Sequence, residues 1–169
     1  FIPSGEVWSV VFSPDGQMLA SAGSDGKVKL WNMAGELLKT LAVETDNILL
    51  GVEFSPDGKR LAVATGERNT VITAVKVWSI EGNELERLEG HSSRITDASF
   101  STDGQRIVST SFDGTIRLWQ PQQNSLYQII DGHDDIVSSL RFAADGQTLA
   151  SSSYDGTISQ WQADGTLLK

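Results

Sequence analysis

Short apolar runs alternate with turns along the whole chain, and no run keeps a helical period. In the first unit the runs are Val7 to Phe12, Met18 to Ala22, Lys27 to Trp31 and Glu36 to Leu41, and the first three are followed by turns that end in Gly16, Gly26 and Gly35. Runs of this length, rich in β-branched and aromatic residues and bounded by turn formers, predict strands rather than helices. The pattern therefore predicts an all-β chain with four strands to the unit.

The unit repeats. Trp31, Trp78, Trp119 and Trp161 are spaced by 47, 41 and 42 residues, and Phe12, Phe54, Phe100 and Phe142 by 42, 46 and 42. Each Phe opens the same phrase: Phe-Ser-Pro-Asp-Gly at 12–16 and 54–58, Phe-Ser-Thr-Asp-Gly at 100–104 and Phe-Ala-Ala-Asp-Gly at 142–146. Asp-Gly between apolar runs marks a tight reversal, because glycine takes positive φ and aspartate bonds its own backbone. A second turn follows at Asp25-Gly26, Asp113-Gly114 and Asp155-Gly156, each with a Trp six residues beyond the Asp. Four-stranded units at this period are how propeller blades read in sequence.

These residues, with Gly90-His91 and Gly132-His133, resemble the WD-repeat family over essentially the whole chain. The terminal Trp-Asp pair departs from the family pattern, since Asn32, Ser79, Gln120 and Gln162 follow the four tryptophans. The resemblance implies four blades of four antiparallel strands, at 1–43, 44–89, 90–131 and 132–169. WD-type propellers usually close with about seven blades, so four imply an incomplete arc of a larger propeller or half of an eight-bladed homodimer. A closed four-bladed ring is the third possibility. The opening Phe1-Ile2-Pro3-Ser4 reads as the start of an excised piece.

Two sets of residues imitate a hydrolase triad: His91, Ser109 and Asp113, and His133, Ser151 and Asp155. Their spacings are identical, and each continues to a tryptophan, Trp119 or Trp161. The resemblance implies that each set is a structural hydrogen-bond tetrad. No Gly-x-Ser-x-Gly elbow accompanies them, and no histidine is left for a metal cluster. Unit one retains Ser21, Asp25 and Trp31, with Pro3 in the histidine's place. Unit two offers Thr45, Val63 and Glu67 and retains only Trp78, so packing by Leu61, Val63, Val77 and Trp78 is expected to hold it. Unit two also carries a five-residue insertion, which lengthens the hairpin through 66–74.

By family analogy one rim meets partners. It would carry Ser24, Phe112 and Tyr154 before the second-turn aspartates, and Glu6, Trp8, Arg94, Thr96, Ile136 and Ser138 at the starts of the inner strands. Trp8, Arg94, Phe112 and Tyr154 are of the types that anchor interfaces.

Composition narrows the function classes. With 22 acidic and 13 basic residues the net charge is −9, which disfavours a phosphate backbone as partner. No apolar stretch approaches the length of a membrane span, and the absence of cysteine excludes disulfides and fits a cytoplasmic setting. Asp131, Asp134 and Asp135 read as solvated loop charges. The expectation is a scaffold without enzyme activity, cofactor or metal, binding a protein or peptide, with no nucleic-acid or membrane partner. Its regular repeats also resemble bacterial propellers fused to signalling modules. A carbohydrate or small-ligand binder and, further off, a propeller-based hydrolase are the alternatives.

Overall fold

The computed structural model describes residues 5–42, 47–67, 73–121 and 125–169. Among them 15 strands form four antiparallel sheets, and there is no α-helix. The first sheet holds β1 (Val7–Phe12), β2 (Met18–Gly23), β3 (Lys27–Asn32) and β4 (Leu37–Ala42). The second holds β5 (Asn47–Phe54), β6 (Arg60–Glu67), β7 (Ala74–Ser79) and β8 (Glu84–Glu89). The third holds β9 (Ile95–Phe100), β10 (Ile107–Ser111), β11 (Thr115–Gln120) and β12 (Ser125–Asp131). The fourth holds β13 (Val137–Phe142), β14 (Thr148–Ser153) and β15 (Ile158–Gln162). Strand order follows chain order in every sheet, so each blade is a meander.

The fourth blade departs from the four-stranded expectation. Its last segment pairs with β15 through a bridge between Trp161 and Leu167, and through bonds from Leu168 N to Gln160 O and from Gln160 N to Lys169 O. That pairing follows the course of an outer strand without making a full ladder.

The Asp-Gly phrases fold as predicted. Gly16, Gly58, Gly104 and Gly146 have φ of 67–70°, which a side chain would resist. In the first three turns a serine hydroxyl donates to the aspartate: Ser13 to Asp15 at 2.6 Å, Ser55 to Asp57 and Ser101 to Asp103 at 2.5 Å. Ala143 stands at the serine's place in the fourth.

The innermost strands β1, β5, β9 and β13 pack side by side in that order. The apolar core lies between blades in three layers. Ala20, Val28 and Leu30 of blade 1 meet Val52, Phe54 and Trp78 of blade 2. Ala62, Val75 and Val77 of blade 2 meet Ala98, Phe100 and Trp119 of blade 3. Val108, Ile116 and Leu118 of blade 3 meet Leu140, Leu149 and Trp161 of blade 4. Each blade thus has a face toward its predecessor, built on the Phe and Trp, and a face toward its successor. One long cation also crosses each junction to a carbonyl: Lys39 to Glu81 at 2.8 Å, and Arg60 to Gly104 and Arg106 to Ala163 at 2.9 Å.

The arc is open. Phe12, on the predecessor face of blade 1, is 59% exposed, whereas Phe54 and Phe100 are 4% exposed. Ile158, on the successor face of blade 4, is 76% exposed, whereas Val28, Val75 and Ile116 are at most 1% exposed.

Candidate functional site

The two imitation triads lie inside their blades. In blade 3 the Trp119 indole donates to Ser109 Oγ at 2.8 Å, Ser109 Oγ lies 2.8 Å from His91 Nε2, and His91 Nδ1 lies 2.8 Å from Asp113 Oδ2. The indole can only donate and the carboxylate can only accept, so proton direction is fixed from Trp to Asp, through a neutral histidine protonated at Nδ1. Burial lowers the pKa of His91, with Asp113 opposing the shift, which suits that neutral form. Burial alone would raise Asp113, but hydrogen bonds from His91 and Thr115 hold it well below the usual carboxylate range. Blade 4 repeats the chain through Trp161, Ser151, His133 and Asp155, with steps of 2.8, 2.8 and 2.9 Å. Ser109 and Ser151 are buried, so neither hydroxyl is presented to a substrate.

The glycine before each histidine has a steric reason. A Cβ on Gly132 would lie 2.2 Å from Trp161 Cη2, while Gly90 holds a φ of +148° that other residues rarely adopt.

Blades 1 and 2 solve the same problem differently. In blade 1 Trp31 still donates to Ser21 at 2.9 Å, while Asp25 takes the Lys29 ammonium at 2.6 Å. In blade 2 Trp78 Nε1 is buried without a hydrogen-bond partner among the described residues; Leu61 and Val63 are fully buried in its core layer, and Val77 is fully buried on the blade's other face. Polar ties survive there nonetheless, which the sequence reading missed. Thr65 Oγ1 donates to Ala74 O at 2.8 Å, and Thr73 Oγ1 donates to His91 O of blade 3 at 2.9 Å. Pro3, Thr45 and residues 68–72 of the insertion lie outside the described residues.

The rim positions share one backbone device. Ser24 N donates to Glu6 O at 2.8 Å, Phe112 N to Arg94 O at 2.9 Å and Tyr154 N to Ile136 O at 3.0 Å, tying each second turn to the start of its inner strand. Trp8, Phe112 and Tyr154 stand 42%, 40% and 71% exposed, and the Arg94 guanidinium lies 6.0 Å from the Phe112 ring centre. Trp8 Nε1 donates to Glu6 at 3.3 Å, and Ser24 Oγ accepts from Glu6 N at 2.8 Å. Thr96 and Ser138 are turned to other work. Thr96 Oγ1 donates to Val137 O of blade 4 at 2.6 Å, and Ser138 Oγ donates to Ser152 O at 3.0 Å. Ile136 is half-buried.

The inner strands also carry a charged cluster that the repeat reading did not single out. Asp97 pairs with Arg141 and accepts from Ser139 Oγ at 3.0 Å, and Ser99 Oγ donates to Glu53 at 3.2 Å. The signal was in the alignment: Asp97 stands where blades 1 and 4 have Ser9 and Ser139, and Glu53 where blade 1 has Val11. Burial raises the Glu53 pKa to about 7, with Asp97 adding to the shift and Arg141 and Ser99 opposing it. A carboxyl with a folded pKa above its unfolded one takes up protons on folding, so stability is greatest below pH 4.5 for this group and falls as pH rises toward 7. Glu53→Gln should remove that slope, worth about 3 kcal/mol at most, and melting curves between pH 4.5 and 8 would show it. Wild-type and variant curves of equal slope would refute it.

Among the described residues no group of three or more His, Asp or Glu is placed to hold a metal, and no helix is long and apolar enough to cross a membrane.

The family model for the WD domain, G-beta repeat, matches residues 3–32, 82–120 and 124–162. The stretch it passes over, 33–81, contains the first three strands of blade 2, including the tryptophan that lacks its serine. The chain is 30% identical over 131 residues to eukaryotic translation initiation factor 3 subunit I of Phaeosphaeria nodorum, covering 72% of this chain and 39% of that protein. It is 31% identical over 127 residues to an uncharacterized WD repeat-containing protein of Synechocystis, covering 75% and 35%. It is 32% identical over 126 residues to the small ribosomal subunit protein RACK1y of Oryza sativa subsp. japonica, covering 69% and 35%. The chain therefore spans little more than a third of the length of these relatives. Matched over more than half its residues by the repeat model, and folded as successive antiparallel blades that each bury a tryptophan, the chain belongs to the WD-repeat family.

Proposed function

We propose that this chain is a non-catalytic interaction platform whose rim binds a protein or peptide, with Trp8, Arg94, Phe112 and Tyr154 as anchors. The observation that carries the reading is the exposure of three aromatic side chains from blades 1, 3 and 4: Trp8 in β1, and Phe112 and Tyr154 on turns tied by hydrogen bonds to the starts of their inner strands. Rigid backbone beneath exposed aromatic groups lowers the entropy cost of binding, and aromatic and arginine side chains supply most hot spots. A footprint over three blades suits an extended macromolecular ligand better than a sugar or small molecule. Two relatives support the direction, since their names make them an initiation-factor subunit and a ribosomal-subunit protein, parts of larger assemblies. Service as the sensor half of a signalling chain, in the cytoplasm, belongs to the same proposal. The serines that would have to act as nucleophiles are buried, which weighs against a hydrolase.

Peptides selected from a displayed random library on the immobilised chain provide the test. The triple change Trp8→Ala, Phe112→Ala and Tyr154→Ala should weaken their binding at least tenfold. Because the side chains are exposed, each change should move stability by no more than about 0.5 kcal/mol. Binding that survives the triple change would place the binding surface elsewhere.

A further inference from the structure

The rim over blades 3 and 4 carries side chains that the fold does not need. Phe112 N donates to Arg94 O at 2.9 Å, and in blade 1 Ser24 N makes the same bond to Glu6 O at 2.8 Å. A serine therefore serves the turn as well as a phenylalanine does. The loops before β9 and β13 repeat the point. Ser92 N and Asp134 N each donate to the aspartate of their blade, Asp113 at 2.9 Å and Asp155 at 3.1 Å. Ser93 O and Asp135 O each accept from a serine hydroxyl, at 3.1 and 3.2 Å. All four bonds use the main chain, so the serines of blade 3 close the loop as well as the aspartates of blade 4, and the Asp135 carboxylate adds only a bond from Ile136 N at 2.7 Å. Asp134 and Asp135 are exposed and, among the described residues, paired with no cation.

The aromatic ring and the acids meet on one surface. A Cβ on Gly114 would lie 3.5 Å from His133 O and 3.6 Å from Asp135 O, which sets the turn of Phe112 against the loop of Asp134 and Asp135. Blade 3 is packed against a neighbour on both lateral faces, yet Phe112 is 40% exposed, so its exposure belongs to the rim and not to the direction in which blades stack. The Arg94 guanidinium, 6.0 Å from the ring centre, shows that this ring attracts a cation. Elsewhere cations of the chain are committed internally: Lys29 to Asp25, Arg141 to Asp97, and Lys39, Arg60 and Arg106 to carbonyls of the next blade. With a net charge of −9, the chain presents a field that draws in cationic partners and repels anionic ones. We propose that the partner is an extended peptide segment rich in lysine and arginine, its cations held by Phe112 and by the carboxylates of Asp134 and Asp135. This choice of partner rests on the rim being the binding surface, and the two can fail separately.

Peptides selected from a displayed random library on the immobilised chain should carry a net positive charge. Asp134→Asn with Asp135→Asn keeps an acceptor for Ile136 N and removes both charges, and it should weaken the selected peptides about fivefold at about 50 mM salt. The loss should shrink below about twofold at about 1 M salt, where the screening length is about 3 Å. Glu36→Gln with Glu81→Gln removes the same charge from the β3 to β4 and β7 to β8 turns on the opposite rim, and should leave binding within about twofold of wild type. Neutral or acidic peptides, equal losses from the two pairs of changes, or a loss that persists at high salt would each overturn the cationic partner. If binding of those peptides is still lost in the triple change Trp8→Ala, Phe112→Ala and Tyr154→Ala, the rim stands as the binding surface and only this partner falls. Binding that survives the triple change removes both.

Discussion

Trp119→Ala should lower the unfolding free energy by roughly 3–5 kcal/mol, the range for truncating a large aromatic residue in a core. Trp119 is 2% exposed, sits in the layer between blades 2 and 3, and donates the hydrogen bond that orients Ser109. Its removal opens a cavity against Ala98, Phe100 and Ile107 and leaves the buried Ser109 hydroxyl with one partner fewer. Urea unfolding followed by the fluorescence of the four remaining tryptophans would measure the loss. A change below about 1 kcal/mol would mean that Trp119 lies on a yielding surface, against its burial.

The second large effect is expected at Asp113. Its carboxylate accepts from His91 Nδ1 at 2.8 Å, Ser92 N at 2.9 Å, Thr115 N at 3.0 Å and Thr115 Oγ1 at 2.6 Å. Asp113→Ala leaves all four donors to find other partners, one of them on the buried ring of His91, and should cost about 2–4 kcal/mol at neutral pH. The loss should depend on acidity with a definite sign. The folded pKa of Asp113 is depressed, so its contribution is complete above the unfolded value and disappears as pH falls through the folded one. The gap between wild type and variant should therefore be widest at neutral pH and narrow below about pH 4. A gap that stays constant from pH 7 to pH 3 would mean that the carboxylate's charge plays no part.

The fold was legible because the turns and the tryptophans are local and repeat. Asp-Gly dictates a reversal wherever it stands, and a regular spacing reports four such reversals regardless of what surrounds them. The tetrads were legible for the same reason in blades 3 and 4, where two copies share one spacing. Blade 2 was harder to read. Thr65 and Thr73 occupy no tetrad position, so their bonds to Ala74 and His91 depend on how the β6 to β7 hairpin is placed. Thr96 and Ser138 illustrate the converse: both occupy rim positions, yet their hydroxyls turn to backbone carbonyls, a choice fixed by the neighbouring strand. The cluster of Glu53, Asp97 and Arg141 draws on three blades at once, and only the stacking of inner strands brings it together.

Along those inner strands Ser9 Oγ accepts from Val52 N of the next blade at 3.2 Å, and Asp97 accepts from Leu140 N at 3.4 Å. Between blades 2 and 3 the corresponding residue is Gly51, which has no side chain to offer, and Asp97 accepts from Ala98 N itself at 3.0 Å. A Cβ on Gly51 would lie in ordinary contact with the Asp97 carboxylate, at 3.4 Å, so a small side chain fits there but an acidic one would set its charge beside that carboxylate. The blades are consequently not interchangeable parts. A shuffled array with blade 3 set beside a duplicate of itself would bring a second carboxylate to the place Gly51 keeps clear, and like charges would meet in a partly buried seam. Repeats that arose by copying have here acquired fixed addresses, and a recombination that ignored them would have to change both residues together.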